Sequence, residues 1–322
     1  MTADRKPNRF KVGTRESLLA RLQTDLALNA IQAKFPKINF EIIAVKAMGD
    51  KNQHTPLSEL GGRGVFVKEL EDALLDGRVD FVVHSLKDLP TEMVPGLSLA
   101  ATLERADPRD VLVSKDKLKF GELPQGSRVA TSSRRRAAQL SALRKDLEFI
   151  DIRGNIQTRL RKHDEGQCDA MVLAAAGLLR LELSDRISEF FAIDVSTPAV
   201  GQGALAIECR SDDAEVFSIL HAINEEPVWT CTQAERSFLN TMGGGCSVPV
   251  GAIAQLTADG QIELSACVAS VDGTRTLRET LKGPVSDPAK LGTTLAEKML
   301  SLGAREIIGG LKESDLGLVS PP

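Results

Sequence analysis

Apolar and polar positions repeat along the chain with two periods, and the switches between them lay out its elements. Phe10 and Val12, alternating about Lys11, predict a short strand over 10–12. After Thr14-Arg15-Glu16-Ser17, the residues Leu18, Leu22, Leu26, Ile31 and Phe35 recur at helical spacing. The order strand, polar loop, helix then returns. A strand is predicted over 40–45, a helix over 65–76 stopped by Gly77, and a buried strand over 80–83 ending in His84-Ser85-Leu86-Lys87-Asp88. Strands alternating with helices imply a parallel α/β sheet. A second α/β region has strands near 111–113, 128–131, 147–152 and 170–173, with helices over 133–143, 155–165 and 175–181. Beyond Gly203 come a strand over 204–209 and helices near 213–224 and 231–240. Alternating stretches near 250–256, 261–270 and 275–282 and a final helix near 287–303 complete the pattern of a small α+β domain with an antiparallel sheet.

Composition narrows the function. A chain of 322 residues exceeds one compact core, and 42% hydrophobic with 26% charged residues describes globular domains rather than disorder. A net charge of -4 argues against general affinity for nucleic acid or an anionic membrane. The longest apolar run, 170–179, is too short to span a bilayer, which takes about 18 residues, and MTADRKPNRF lacks the layout of a signal peptide. A cytoplasmic protein is expected. The five cysteines form no C-x-x-C pair, so neither a disulfide framework nor a metal site is expected.

In open α/β sheets ligands sit beyond the carboxyl ends of strands, and the polar clusters of this chain fall there. Residues 128–162 hold ten Lys and Arg against three Asp and Glu, within an acidic protein. Ser132-Ser133 before Arg134-Arg135-Arg136 reads as a helix N-cap, where free N–H groups favour an anion, and arginine adds a bidentate fork. The alternative is a solvated basic helix face. With one tryptophan and no tyrosine to stack on bases, a small polyanion suits the patch better than nucleic acid. G-x-x-x-x-G-K-[ST] does not occur, and neither Gly62-Arg63-Gly64 nor Gly201-Gln202-Gly203 completes G-x-G-x-x-G, so nucleotide binding is unsupported. His84-Ser85-Leu86-Lys87-Asp88 is either structural or an active strand end. A carboxylate in a closed cleft can stabilise a cation or pass protons. In Met242-Gly243-Gly244-Gly245-Cys246 three glycines leave one thiol on a conformationally free loop. Cys168, Cys209, Cys231 and Cys267 fall in helix or strand patterns and read as core.

Taken in order, these segments closely resemble the porphobilinogen deaminase family from Phe10 to about Gly309. The shared motifs include Thr14-Arg15-Glu16-Ser17, Val65-Phe66-Val67-Lys68-Glu69-Leu70, Val83-His84-Ser85-Leu86-Lys87-Asp88-Leu89-Pro90 and Asp107-Pro108-Arg109-Asp110. They continue through Thr131-Ser132-Ser133-Arg134-Arg135-Arg136, Arg153-Gly154-Asn155, Pro198-Ala199-Val200-Gly201-Gln202-Gly203-Ala204 and Gly244-Gly245-Cys246. The chain departs from the family at Ala47-Met48, where the bacterial pattern has Thr-Arg, and in the active-site loop at Arg63 and Glu59.

The resemblance implies a transferase of tetrapyrrole biosynthesis that joins four porphobilinogen molecules head to tail into hydroxymethylbilane, releasing ammonia. It implies one dipyrromethane cofactor per chain, held by a thioether to Cys246. Asp88 would steady the positive charge of the azafulvene-type intermediate. Arg15, Ser17, Ser85, Lys87, Thr131, Ser132, Ser133, Arg135, Arg136, Arg153, Gly154, Arg159, Arg180 and Gln202 would hold cofactor and substrate, with Gln202 in the interdomain hinge and Arg63 and Phe66 on a mobile loop. The implied fold has two α/β domains like those of periplasmic binding proteins, residues 1–103 with 204–222 and residues 104–203, and an α+β domain over 223–322. The implied protein is a monomer without nucleic-acid or membrane partners. A two-domain solute-binding or effector-sensing module for a small polyanion is the alternative, and a hydrolase or transferase with Cys246 as turnover nucleophile is a further rival.

Overall fold

The computed structural model describes residues 8–46, 67–243 and 248–309. Three sheets organise them. In the first, β1 (Arg9–Arg15) lies between β2 (Asn39–Val45) and β3 (Phe81–Ser85), parallel to both. The chain then forms β4 (Leu97–Thr102), leaves, and returns as β10 (Leu205–Arg210), giving the order β2-β1-β3-β10-β4. Because β10 runs antiparallel to both β3 and β4, the sheet is mixed. The parallel sheet expected from the alternation is therefore corrected to a mixed one. Strand–helix alternation correctly implies parallel pairs, but it carries no information about a strand that returns from another domain.

The excursion builds the second sheet from β5 (Asp110–Ser114), β6 (Arg128–Ala130), β7 (Glu148–Ile150), β8 (Ala170–Ala174) and β9 (Glu189–Phe190), in the order β7-β6-β8-β5-β9. Here β5 is the antiparallel member, paired with β8 and β9. Both edge strands missed in the sequence have a reason. β4 has an irregular burial pattern, interrupted at Ser98 and Leu99, and β9 is two residues long.

Helix α1 (Leu18–Lys34) forms where expected, but on a different face. Leu18 and Leu26 point outward, whereas Ala20, Gln23, Thr24, Ala27, Leu28 and Ile31 are buried. Near the sheet the Thr24 hydroxyl donates to Thr14 Oγ1 at 2.8 Å and to the Ala20 carbonyl at 3.0 Å, so small and hydroxylated residues take the inner face. α2 (Lys68–Leu75) follows residues outside the described set. α3 (Arg134–Ser141), α4 (Ile156–Asp164) and α5 (Ala175–Arg180) belong to the second sheet.

After β10 come α6 (Ala214–His221) and α7 (Glu226–Thr241). α7 begins earlier than the expected 231 because Pro227 occupies its first turn, where a missing N–H costs nothing. The third sheet is the antiparallel β11-β12-β13, made of β11 (Val250–Leu256), β12 (Gln261–Ala269) and β13 (Thr276–Pro284). α8 (Pro288–Ser301) and α9 (Ala304–Ile308) cover it. Phe238, Leu264, Leu295 and Met299 fill its core at 0% exposure, separately from the cores of the α/β sheets. Truncating such a buried aromatic typically costs about 3–5 kcal/mol. Cys168, Cys209, Cys231 and Cys267 are buried and free, as the sequence suggested. Burial pushes the Cys168 and Cys231 thiols up to about 11 and the Cys209 thiol to about 12, which keeps them protonated and inert.

Candidate active site

A cleft of about 440 Å³ opens where the carboxyl ends of β1, β3 and β8 meet the first turns of α1, α4 and α5. The first domain contributes Arg15 and Ser17, with Ser17 Oγ capping α1 by accepting from Ala20 N at 3.3 Å. It also contributes Ser85, whose Oγ accepts from Gln23 Nε2 at 2.9 Å, and Lys87 and Asp88 in the 3₁₀ turn that ends β3. His84 turns the other way, into the domain, where its Nε2 lies 3.0 Å from Glu208 of β10.

The second domain contributes Arg136, Arg153, Gly154, Arg159 and Arg180. Asn155 caps α4 by accepting from Thr158 N at 2.9 Å, which places Arg153 and Gly154 at the helix entrance, and Gly154 takes a φ of +113° there. Arg159 Nε donates to the Gly154 carbonyl and Arg180 Nη2 to the Gly203 carbonyl, each at 2.8 Å.

Other expected residues lie behind this wall, outside the cleft lining. Ser133 caps α3, accepting from Arg136 N at 3.4 Å. Thr131 Oγ1 accepts from Ser133 N at 3.2 Å, and the Ser132 hydroxyl donates to the Ile152 carbonyl. Arg135 is 4% exposed and directed away from the cleft. It donates to Asp110 at 2.7 Å and to the Thr197 carbonyl at 2.6 Å. Gln202 is buried, with its Oε1 3.5 Å from Lys87 Nζ. Arg63, Phe66 and Cys246 lie outside the described residues, as do Ala47, Met48 and Glu59. Sequence reasoning passed over Gln23, which lines the cleft, and the Glu235 carboxylate, and it named Asn155 and Asp110 only within motifs, without a role for either. Beyond those motifs, the cap position of Asn155 before a helical run offered a signal.

Six cations and two carboxylates, Glu16 and Asp88, line the cleft. Burial first, and then the Arg136 charge, push Lys87 down to about 8, although Asp88 and Asp110 favour its charged form. Burial and the Arg136 and Arg153 charges push Arg159 down to about 10, and burial alone does the same to Arg180. Cations crowded at such a cost are matched by a ligand that brings several anionic groups. A linear chain of pyrroles with acetate and propionate side chains fits that donor set. Leu19, Ile156, Leu173 and Ala176 supply apolar wall for the rings.

Residues 10–218 match the family described as "Porphobilinogen deaminase, dipyromethane cofactor binding domain", and residues 229–301 match "Porphobilinogen deaminase, C-terminal domain". The chain belongs to the porphobilinogen deaminase family. The porphobilinogen deaminase of Geobacter metallireducens is 44% identical over 310 residues, covering 96% of this chain and 97% of that protein. That of Brevibacillus brevis is 46% identical over 300 residues, 93% of this chain and 96% of the relative. Among solved structures, the methionine-binding protein MetQ covers 68% of this chain and 90% of its own at 15% identity, with a TM-score of 0.45. Membership makes the chain a transferase of tetrapyrrole biosynthesis with a dipyrromethane cofactor, and the solute-binding alternative gives way to it.

Proposed function

We propose that this cleft condenses four porphobilinogen molecules head to tail into hydroxymethylbilane, on a dipyrromethane held through Cys246, with Asp88 as the catalytic carboxylate. The observation that carries the reading is the placement of Asp88 beside Lys87 in a cleft walled by arginines from both α/β domains. A dipyrromethane held there would supply the free pyrrole carbon to which the first ring is joined, each later ring being joined to the one before it. Lys87, Arg136, Arg153, Arg159 and Arg180 bind ring carboxylates, and Arg15 and Ser17 meet them from the opposite wall. Asp88 holds a negative charge where the ring nitrogen of an incoming substrate becomes positive as ammonia leaves. It then accepts the proton displaced when the new carbon–carbon bond forms.

Cys246 suits the attachment because the helix leading to it is docked beside Asp88. Arg236 of α7 donates to the carbonyls of Pro90 at 2.8 Å and Thr91 at 3.1 Å, and the Thr91 hydroxyl donates to Asn240 at 3.0 Å. We further divide the chain into residues 1–103 with 204–222, 104–203 and 223–322, and read it as a cytoplasmic monomer. Free buried cysteines and large exposed apolar side chains that come one or two to an element support that reading.

The test is the intact mass of the purified chain. It should exceed the sequence mass by two linked pyrrole units and give a colour with Ehrlich's reagent, and Cys246→Ala should lose both. An unmodified, alkylatable Cys246 in fully active protein would overturn the attachment and favour a turnover thiol instead.

A further inference from the structure

Asp110, the first residue of β5, is 0% exposed and is the point where two crossing segments and one helix meet. From α3 it accepts Arg135 Nη1 at 2.7 Å and Nη2 at 3.2 Å, and Arg136 Nε at 2.8 Å. From the segment that returns to the first domain it accepts the Ser196 hydroxyl at 2.8 Å and Gln202 Nε2 at 2.9 Å. Gln202 Nε2 also donates to the Pro108 carbonyl at 2.7 Å. With its amide nitrogen between two acceptors, Gln202 must turn Oε1 the other way. That oxygen lies 3.3 Å from Arg136 Nη2 and 3.5 Å from Lys87 Nζ, two of the cations that line the cleft.

We propose that Asp110 is the positioning residue of the cationic wall: one buried carboxylate aims Arg136 into the cleft and, through Gln202, sets Lys87 beside Asp88. Adjacent guanidiniums repel at close range, so Arg135 and Arg136 can share a dry site only around a common anion. Burial opposes ionisation of Asp110, but the two guanidiniums outweigh it and hold its carboxyl well below the usual carboxylate range. The charges facing Lys87 are Arg136 and Arg135, which disfavour its proton, and Asp88 and Asp110, which favour it. Asp110 is buried outside the cleft lining, so its action passes through these neighbours.

The inference rests on the proposed function of the cleft, and its test separates the two. The parent enzyme should carry the dipyrromethane mass and lose kcat/KM as pH rises through about 8, where Lys87 gives up its charge. In Asp110→Asn the shape stays and the charge goes, so the alkaline limb should fall by about one pH unit and KM for porphobilinogen should rise about tenfold. Asp110→Glu should keep the limb but raise KM, because the charge survives and the aim of Arg136 does not. Gln202→Met should raise KM while melting close to the parent, which covers the case in which Asp110→Asn does not fold. Asp110→Glu and Gln202→Met proteins with the KM of the parent would overturn the inference, as would a folded Asp110→Asn with an unmoved alkaline limb. A parent that neither loads the cofactor nor forms product would overturn the function and this inference together.

Discussion

A carboxylate that steadies a positive charge and then takes up a proton must sit at a fixed distance from the reacting ring, and Asp88 is held in a 3₁₀ turn anchored at its start. Leu86 N donates to the Ala204 carbonyl at 3.0 Å, and Leu89 N closes the turn onto the Leu86 carbonyl at 3.1 Å. Asp88→Asn keeps this turn but removes the charge, and preorganised charge of this kind accounts for about 10²–10³-fold in rate. We expect Asp88→Asn to lose at least about 10²-fold in kcat while binding cofactor, and Asp88→Glu to turn over slowly. Product formation by both cofactor-loaded variants checks this. An Asp88→Asn enzyme within a few-fold of the parent would remove the carboxylate from the chemistry. The residue scale is also where the sequence stopped being informative. Arg135 and Arg136 are neighbours in one basic run, yet a helix turns about 100° between them, sending one to the cleft and the other to Thr197. Composition registers the excess of charge, whereas its division between ligand and scaffold depends on Asp110, which lies 25 residues upstream of Arg135.

The elements carry the site by their ends. Ser17, Ser133 and Asn155 each cap a helix that starts beside the cleft or behind it, so the caps and the ligand-binding loops are the same residues. Asn155→Ala should therefore do two things at once. Removing the bond to Thr158 N should cost about 1 kcal/mol of stability. It should also raise KM, because the first turn of α4 lies between Arg153 and Arg159. Urea unfolding and steady-state kinetics on one preparation read both, and an unchanged KM with lowered stability would confine Asn155 to the helix. Elements of this sort were largely legible, because strand ends, caps and helical runs are local. Their faces and directions were less so. The leucine stripe of α1 proposed a buried face that the Thr14–Thr24 hydrogen bond displaces, and the reversed direction of β10 arises only when a distant segment returns.

At the scale of the molecule, one side chain ties both crossings between the α/β domains to the third domain. Glu235 of α7 is 0% exposed and accepts Arg105 Nη1 at 2.5 Å and Nη2 at 3.1 Å, on the outgoing crossing. It accepts Gly201 N at 2.7 Å on the returning crossing and Ala254 N of β11 at 2.9 Å. Arg105 in turn donates from Nε to the Gln202 carbonyl at 2.9 Å, and Gly203 packs against the outgoing segment. A Cβ at Gly203 would fall 2.3 Å from the Ala106 carbonyl oxygen, with φ at +90°, so the two crossings touch where only glycine fits. The third domain has its own core around Phe238 and Leu295, and could persist without these bonds. Glu235→Ala would leave Arg105 half-buried without its counterion and two backbone N–H groups without an acceptor, a loss of about 3–5 kcal/mol. Because that loss falls on the junction rather than on any core, urea unfolding should change from one transition to two, with the third domain and the α/β pair separating. Cofactor loading should weaken as well, since Cys246 and Asp88 belong to parts then held less firmly, by the Arg236 and Thr91 bonds without the Glu235 junction. A Glu235→Ala protein that unfolds in a single transition at the midpoint of the parent would show that the junction is held by packing and not by this carboxylate.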